Sequence, residues 1–405
     1  MAPPRIVITG LGGICGLGSS ADEIWAGMRE GRNGIAPYRN PALQDLRVTF
    51  GGQIDEIPDI GIEPKDMSTM DPFSFYTVIS AHQAMVQAGL EVDEARSHRA
   101  GAIIGTGIAG CDAIQAGYEA LYVEGKKRVN VFSVPRIMPG APAGQVSMRF
   151  GLRGPVFGVS SACSSSNHAI LSGLDQMRAG RADVMLVGGT EAPLTFGSLK
   201  AWEALRVLSR DACRPFSANR SGLVLGEGAA VAVLETEEHA KARGANILAE
   251  LAGAGLCADA GDIVAPAEDG MASAISLCLS DAGLNPKDVD YINAHGTATK
   301  ANDASETAAI KSVFGNHATN LSLSSTKSMH SHCLGASGAL EVIACVNTIR
   351  EGVVPPTINY EEPDPDCDLD VTPNEARERP IKAAISNAFA FGGTNAVVAF
   401  RAYQG

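Results

Sequence analysis

Apolar residues along the chain fall into two rhythms. RIVITG (5–10), AGAIIGTG (100–107), DVMLVGG (183–189) and AAVAVLET (229–236) are short runs rich in valine and isoleucine. Unbroken apolar runs of this length predict strands buried on both faces. FYTVISAHQAMVQAGL (75–90) and NHAILSGLDQMRAG (167–180) are longer, space their apolar residues at helical intervals, and stop at glycine. They predict helices with glycine ends. MASAISLCLSDAGL (271–284) reads as a further helix and VDYINAHG (289–296) as a strand. ETAAIKSVFG (306–315), ALEVIACVNTIREG (339–352) and KAAISNAF (382–389) continue the alternation. The pattern predicts an α/β chain whose sheets carry helices on both faces.

The two halves share a helix ending, QAGL at 87–90 and DAGL at 281–284, each followed by a strand. That suggests an internal duplication into residues 1–250 and 251–405, linked through HAKARGANILAEL (239–251). At 405 residues the chain is long for one ordinary core, which fits two halves. EEPDPDCDLDVTPN (361–374) is the most loop-like segment.

Charge and cysteine content narrow the classes. A net charge of −13 argues against nucleic acid and anionic membranes as main partners. No run of 18 apolar residues predicts a membrane-spanning helix. MAPPRIVITG enters a strand without the charged and apolar regions of a signal peptide. The nine cysteines are scattered and lack CxxC spacing, so neither a disulfide framework nor a zinc site is expected, and a reducing cytoplasm is.

One cysteine has an unusual neighbourhood. In RGPVFGVSSACSSSNHAI a strand and turn lead into a helix that starts near Cys163. A helix start offers free N–H groups and partial positive charge, which favour the nucleophilic thiolate. Ser160, Ser161, Ala162, Ser164 and Ser165 are small enough to leave room for a substrate. Cys278 and Cys345 sit on apolar helix faces and read as core. INAHGTAT puts His295 at a strand end, and SSTKSMHSHCLGASG puts Lys327, His330 and His332 before a glycine-rich helix entry. Strand ends are where sites gather in α/β proteins, so Cys163, His295, Lys327 and His332 form a candidate constellation.

ACSSS, NAHGTAT, STKSMHSHCLGASG and SNAFAFGGTN occur in the order found in the beta-ketoacyl-[acyl-carrier-protein] synthases of the type I/II branch, which this chain resembles from VITGLGG to GGTNAVVAF. The resemblance implies the thiolase-like fold, a duplicated five-layer α-β-α-β-α sandwich, and a homodimer. It implies that Cys163 holds an acyl group delivered by acyl carrier protein. His295 and His332 would then assist decarboxylation of malonyl carrier protein. Lys327 would support them electrostatically and Glu341 would position Lys327. The N–H groups of Cys163 and Phe391 would form the oxyanion hole, with Phe391 also the gate. Thr297 and Thr299 would hold the phosphopantetheine arm, and Ile108 would line the acyl tunnel. Lys65, Lys127, Arg128 and Arg206 would form the basic patch that meets the acidic carrier. The implied chemistry needs no metal or redox cofactor.

The chain departs from the family in places. Ser331 stands where glycine is usual, His330 where threonine is, Ala390 where the gating loop has glycine, and Ser68 and Thr69 where basic residues are common. ADAGDIVAP (258–266) differs from the second gating loop. KSMHSHCLGA and DPDCDLDVTPN look most like the nodulation-type sub-branch, with ordinary fatty-acid elongation and polyketide synthesis as the alternatives. A catalytically silent acyl-binding partner subunit, with the altered loops marking lost turnover, is a further alternative; the intact Cys163, His295, Lys327 and His332 argue against it. GTGIAG (105–110) fits GxGxxG, but no ribose-binding acid follows it, so no dinucleotide site is expected.

Overall fold

The computed structural model describes residues 3–405; Met1 and Ala2, at the head of the segment read as lacking a signal peptide, lie outside the described residues. Ten strands form one sheet. The first half supplies β1 (Ile6–Cys15), β2 (Ala100–Gly105), β3 (Val156–Val159), β4 (Val184–Glu191) and β5 (Gly228–Thr236). The second supplies β6 (Ala249–Ala258), β7 (Tyr291–Asn293), β8 (Ser322–Ser324), β9 (Ala383–Ala390) and β10 (Thr394–Arg401). In space they run β3-β2-β4-β5-β1-β6-β10-β9-β7-β8.

The order repeats with a shift of five, reflected about the β1–β6 contact. β3, β2 and β4 are parallel neighbours, and β5 joins β4 and β1 antiparallel. In the second half β8, β7 and β9 are parallel, and β10 joins β9 and β6 antiparallel. β1 and β6 share only Ile6–Ile8 against Ala249–Leu251.

The helices repeat as well. The first half carries α1 (Pro72–Ala88), α2 (Ala141–Phe150), α3 (Ser165–Arg178) and the short α4 (Glu237–Ala242). The second carries α5 (Glu268–Ala282), α6 (Lys300–Phe314) and α7 (Ser337–Glu351). α1 and α2 pack on the outside of the first half-sheet, α5 and α6 on the outside of the second, and α3 and α7 touch each other between them. The result is the five-layer, thiolase-like sandwich. The chain passes between halves through α4 and a loop, and residue 250 lies inside β6.

The matched helix ends have a shared geometry. Gly89 and Gly283 take left-handed φ values of 57° and 63°, and Leu90 and Leu284 donate back to Met85 and Leu279 at 2.9 Å. This closes α1 and α5 in the same way. The outer helices also approach their first strands alike. A Cβ on Gly12 of β1 would sit 2.0 Å from the Ser80 carbonyl of α1, and one on Gly255 of β6 would sit 2.3 Å from the Ala274 carbonyl of α5. Only a bare backbone lets helix and strand come that close. No helix among the described residues is long and apolar enough to cross a membrane.

Candidate active site

β3 leads through Ser160 and Ser161 to Ala162, whose φ is +49°, and then to Cys163 in the turn that opens α3. A left-handed alanine costs roughly 1–2 kcal/mol, which the surrounding turn must hold in place. The serines do that. Ser161 donates its N–H to Ser165 Oγ at 2.9 Å, Ser165 Oγ donates to the Ala162 carbonyl at 2.6 Å, and Ser164 Oγ to the Ser161 carbonyl at 2.8 Å. The small polar run therefore builds the turn, and Ser164 and Ser165 are buried.

His332 faces the cysteine from the other half, with Nε2 at 3.1 Å from Sγ. Its Nδ1 lies 2.9 Å from Ser337 Oγ at the start of α7, and its amide donates to the Val224 carbonyl at 2.7 Å. His295 follows β7. Both its N–H and that of Gly296 donate to the Glu306 carboxylate at 2.8 Å, so one acid on α6 pins this strand end. The two imidazoles stand at 85° with centroids 5.5 Å apart. The sulfur and one nitrogen from each ring all lie within 4.8 Å of one another. Lys327 is fully buried behind them in an ion pair with Glu341 of α7.

Burial pushes the Cys163 thiol up to about 12. The Lys327 charge and the N–H groups of Cys163 and Phe391, which point at the sulfur, oppose that rise without cancelling it. The helix start thus does not by itself give a thiolate: desolvation in the closed site outweighs it, and attack needs a proton acceptor. Burial, followed by the Lys327 charge, holds His295 and His332 well below the usual 6.5, so both rings are neutral at pH 7. Burial also raises the Glu341 carboxyl, against the pull of Lys327.

Cys163, His295 and His332 open on a cavity of about 310 Å3 that Thr297, Thr299 and Phe391 also line. Thr297 and Thr299 hydroxyls are 2.9 Å apart. The cavity's outer wall is the 259–266 loop, tied to the Phe391 loop by Gly392 N–H to the Ile263 carbonyl at 2.7 Å. Ile108 does not reach this cavity. It lines an adjacent apolar groove of about 680 Å3 with Tyr118, Tyr122 and Phe196. Trp202 borders both spaces and stacks on Phe391 at 6.1 Å. Lys65, Lys127, Arg128 and Arg206 are exposed. The glycine turn of GTGIAG is occupied by protein: Gly107 and Ile108 donate their N–H groups to Glu191 at 2.6 and 3.1 Å.

Sequence reading missed Ser337, Glu306, Glu191 and Trp202. Ser337 follows His332 by five residues in a glycine-rich entry, which is a faint signal. The others become functional candidates only through tertiary contacts.

Comparison with known proteins agrees with this geometry. Residues 4–240 match the family model "Beta-ketoacyl synthase, N-terminal domain" and residues 248–361 the model "Beta-ketoacyl synthase, C-terminal domain". The chain is 62% identical to Nodulation protein E of Rhizobium sp. (strain N33), over 98% of this chain and 99% of that one. It is 40% identical to 3-oxoacyl-[acyl-carrier-protein] synthase 2 of Staphylococcus aureus (strain COL), over 99% of both. Among solved structures it superposes with a TM-score of 0.91 and 33% identity on a chain from a type II polyketide acyl-carrier protein complexed with its ketosynthase, covering 99% of this chain and 100% of that one. The chain belongs to the beta-ketoacyl synthase family of condensing enzymes, on the nodulation protein E side of it.

Proposed function

We propose that the chain joins an acyl group held on Cys163 to malonyl carrier protein, releasing CO2 and a 3-oxoacyl chain two carbons longer. In the first step Cys163 Sγ attacks the acyl thioester. The thiol proton passes through His332 Nε2, the acceptor at 3.1 Å, to the departing carrier thiol. The carbonyl oxygen develops charge against the N–H groups of Cys163 and Phe391. In the second step malonyl carrier protein loses CO2, and the electron pair left behind forms an enolate. His295 and His332, kept neutral by burial and by Lys327, donate N–H to its oxygen. The enolate carbon attacks the acyl thioester, and Cys163 leaves as thiolate and regains a proton. Ser337 can donate to or accept from His332 Nδ1, so it serves whichever tautomer each step needs.

Thr297 and Thr299, side by side in the cavity, would hold the carrier's phosphopantetheine arm. Lys65, Lys127, Arg128 and Arg206 would meet an acidic carrier protein. Neither step calls for a metal or redox cofactor. The first half, to about residue 250, brings the nucleophile and the second brings the histidines and lysine. Similarity to a nodulation protein favours a specialised acyl chain over housekeeping fatty acids. We place the enzyme in the cytoplasm as a homodimer.

The contact between Cys163 and a neutral His332 carries this reading. Mass spectrometry of the protein incubated with acyl carrier proteins of varied length, then malonyl carrier protein, tests it. Acyl mass on Cys163 that discharges as 3-oxoacyl product is expected, with none on Cys163→Ala. Equal acylation of Cys163→Ala would move the nucleophile elsewhere. Acylation that never discharges would make the chain an acyl-binding partner subunit.

A further inference from the structure

We propose that Cys163, His295 and His332 also form a binding site for a thiophilic divalent cation, zinc(II) above all, which blocks the nucleophile reversibly. Among the described residues this is the one group of three cysteine, histidine or carboxylate side chains whose ligand atoms cluster, all within 4.8 Å and all buried. One thiolate and two imidazoles are a set that tetrahedral zinc accepts, with bonds of about 2.3 Å to sulfur and about 2.0 Å to nitrogen. At tetrahedral angles those bonds put ligand atoms roughly 3.5 Å apart. The Sγ–Nε2 pair is already at 3.1 Å, and the cluster's outer limit of 4.8 Å leaves small side-chain rotations to close it.

Two further features suit a metal. Ser337 Oγ engages His332 Nδ1, which leaves Nε2 facing the sulfur, the orienting contact that metal-bound histidines normally have. The 310 Å3 cavity leaves a fourth position open for water or a ligand. Behind the rings Lys327 is paired with Glu341, and Glu306 fixes the backbone N–H groups of His295 and Gly296. Binding is a ligand exchange with no redox change. The thiol proton goes to solvent, sulfur and two nitrogens each give a lone pair to the cation, and the cation sheds waters. An acylated Cys163 has no thiolate to offer, so metal and acyl group exclude one another. That regulatory consequence rests on the condensing reading; the site itself does not.

Cobalt(II) titration of the full-length protein tests the site, because thiolate-to-cobalt charge transfer absorbs in the near ultraviolet and tetrahedral cobalt gives strong visible bands. The expected result is both signals saturating at one cobalt per chain and vanishing when zinc is added. Cys163→Ser should abolish the charge-transfer band, and His295→Ala and His332→Ala should each weaken binding about tenfold or more. No band at millimolar cobalt, or an undiminished band in Cys163→Ser, overturns the proposal. Should a variant misfold, calorimetric titration of the unmodified chain still decides: one zinc site is required, and none refutes it. A chain that binds cobalt but accepts no acyl group would refute the condensing reading and leave the metal site standing. A chain that is acylated but never binds cobalt would do the reverse.

Discussion

Ser337 is a small side chain with a large expected influence. Its hydroxyl is the contact at His332 Nδ1, and His332 is buried, so no solvent can replace it. Removing the hydroxyl leaves a ring nitrogen unsatisfied and lets the imidazole turn away from Cys163. Ser337→Ala is therefore expected to lower kcat about 10-fold to 100-fold, the usual size for loss of a residue that orients a reactive imidazole. Both acyl transfer and malonyl decarboxylation should fall, since the hydroxyl serves both tautomers. Steady-state kinetics check this, with KM for carrier protein nearly unchanged and Ser337→Thr restoring much of the rate. A purely structural role would lower the melting temperature and not respond to threonine. The residue scale is also where the sequence misled. A cysteine at a helix start reads as a thiolate, but burial decides its protonation, and burial is a property of the assembled halves.

At the scale of elements, Glu235 at the end of β5 ties the short α4 to the sheet. It accepts from Thr9 Oγ1 of β1, lies 2.6 Å from His239 Nδ1 of α4, and accepts from Arg243 Nε at 2.8 Å and Nη2 at 2.5 Å. Burial alone would raise this carboxyl, but the Arg243, His239 and Thr9 contacts outweigh it and bring it down to about 2. A carboxyl shifted down from 4.5 stabilises the fold above its unfolded value, by about 3 kcal/mol here, and that contribution fades as pH falls toward 2. Glu235→Gln should lower the urea midpoint at pH 7, and its deficit should shrink steadily below about pH 4.5. An equal deficit at pH 7 and pH 3 would mean that shape, not charge, is what the glutamate supplies. Legibility differs among the elements themselves. Strands β1, β2, β4 and β5 are plain in the sequence because their valine and isoleucine runs are buried on both faces. β6 is not: AELAGAGLCA sets Leu251 and Leu256 among alanines and glycines where α5 presses close, so it has no valine or isoleucine run, and its first three residues fall in the segment that reads as the link. The feature that lets the helix pack erases the strand's signature.

Over the whole molecule, the repeat brings together residues that the sequence keeps far apart. Cys163 comes from the first half and His295, His332 and Phe391 from the second, which is why their conjunction was readable as motifs but their distances were not. The placement of Ile108 shows the same limit: its groove is a neighbour of the Cys163 cavity, and only the fold reveals Trp202 between them. The edge of the sheet has its own demand. β3 ends the sheet, with β2 on one side and no strand on the other among the described residues, and Phe157 on it is 40% exposed. The adjoining 136–140 segment packs against β3 at Gly158, and before it Tyr122, Val123 and Val131 are each at least 80% exposed. An open strand edge invites association, and so do bare apolar side chains. A second copy turned by a two-fold axis would pair β3 with its own counterpart and continue the sheet through both chains. Phe157→Lys would put like charges together on that axis. For the homodimer proposed above, it is expected to shift the protein to monomer in light scattering while α-helical and β-sheet circular dichroism stay intact. If Phe157→Lys stays dimeric, the partner sits elsewhere and the edge of β3 is free; if the unmodified protein is itself monomeric, the edge is free as well.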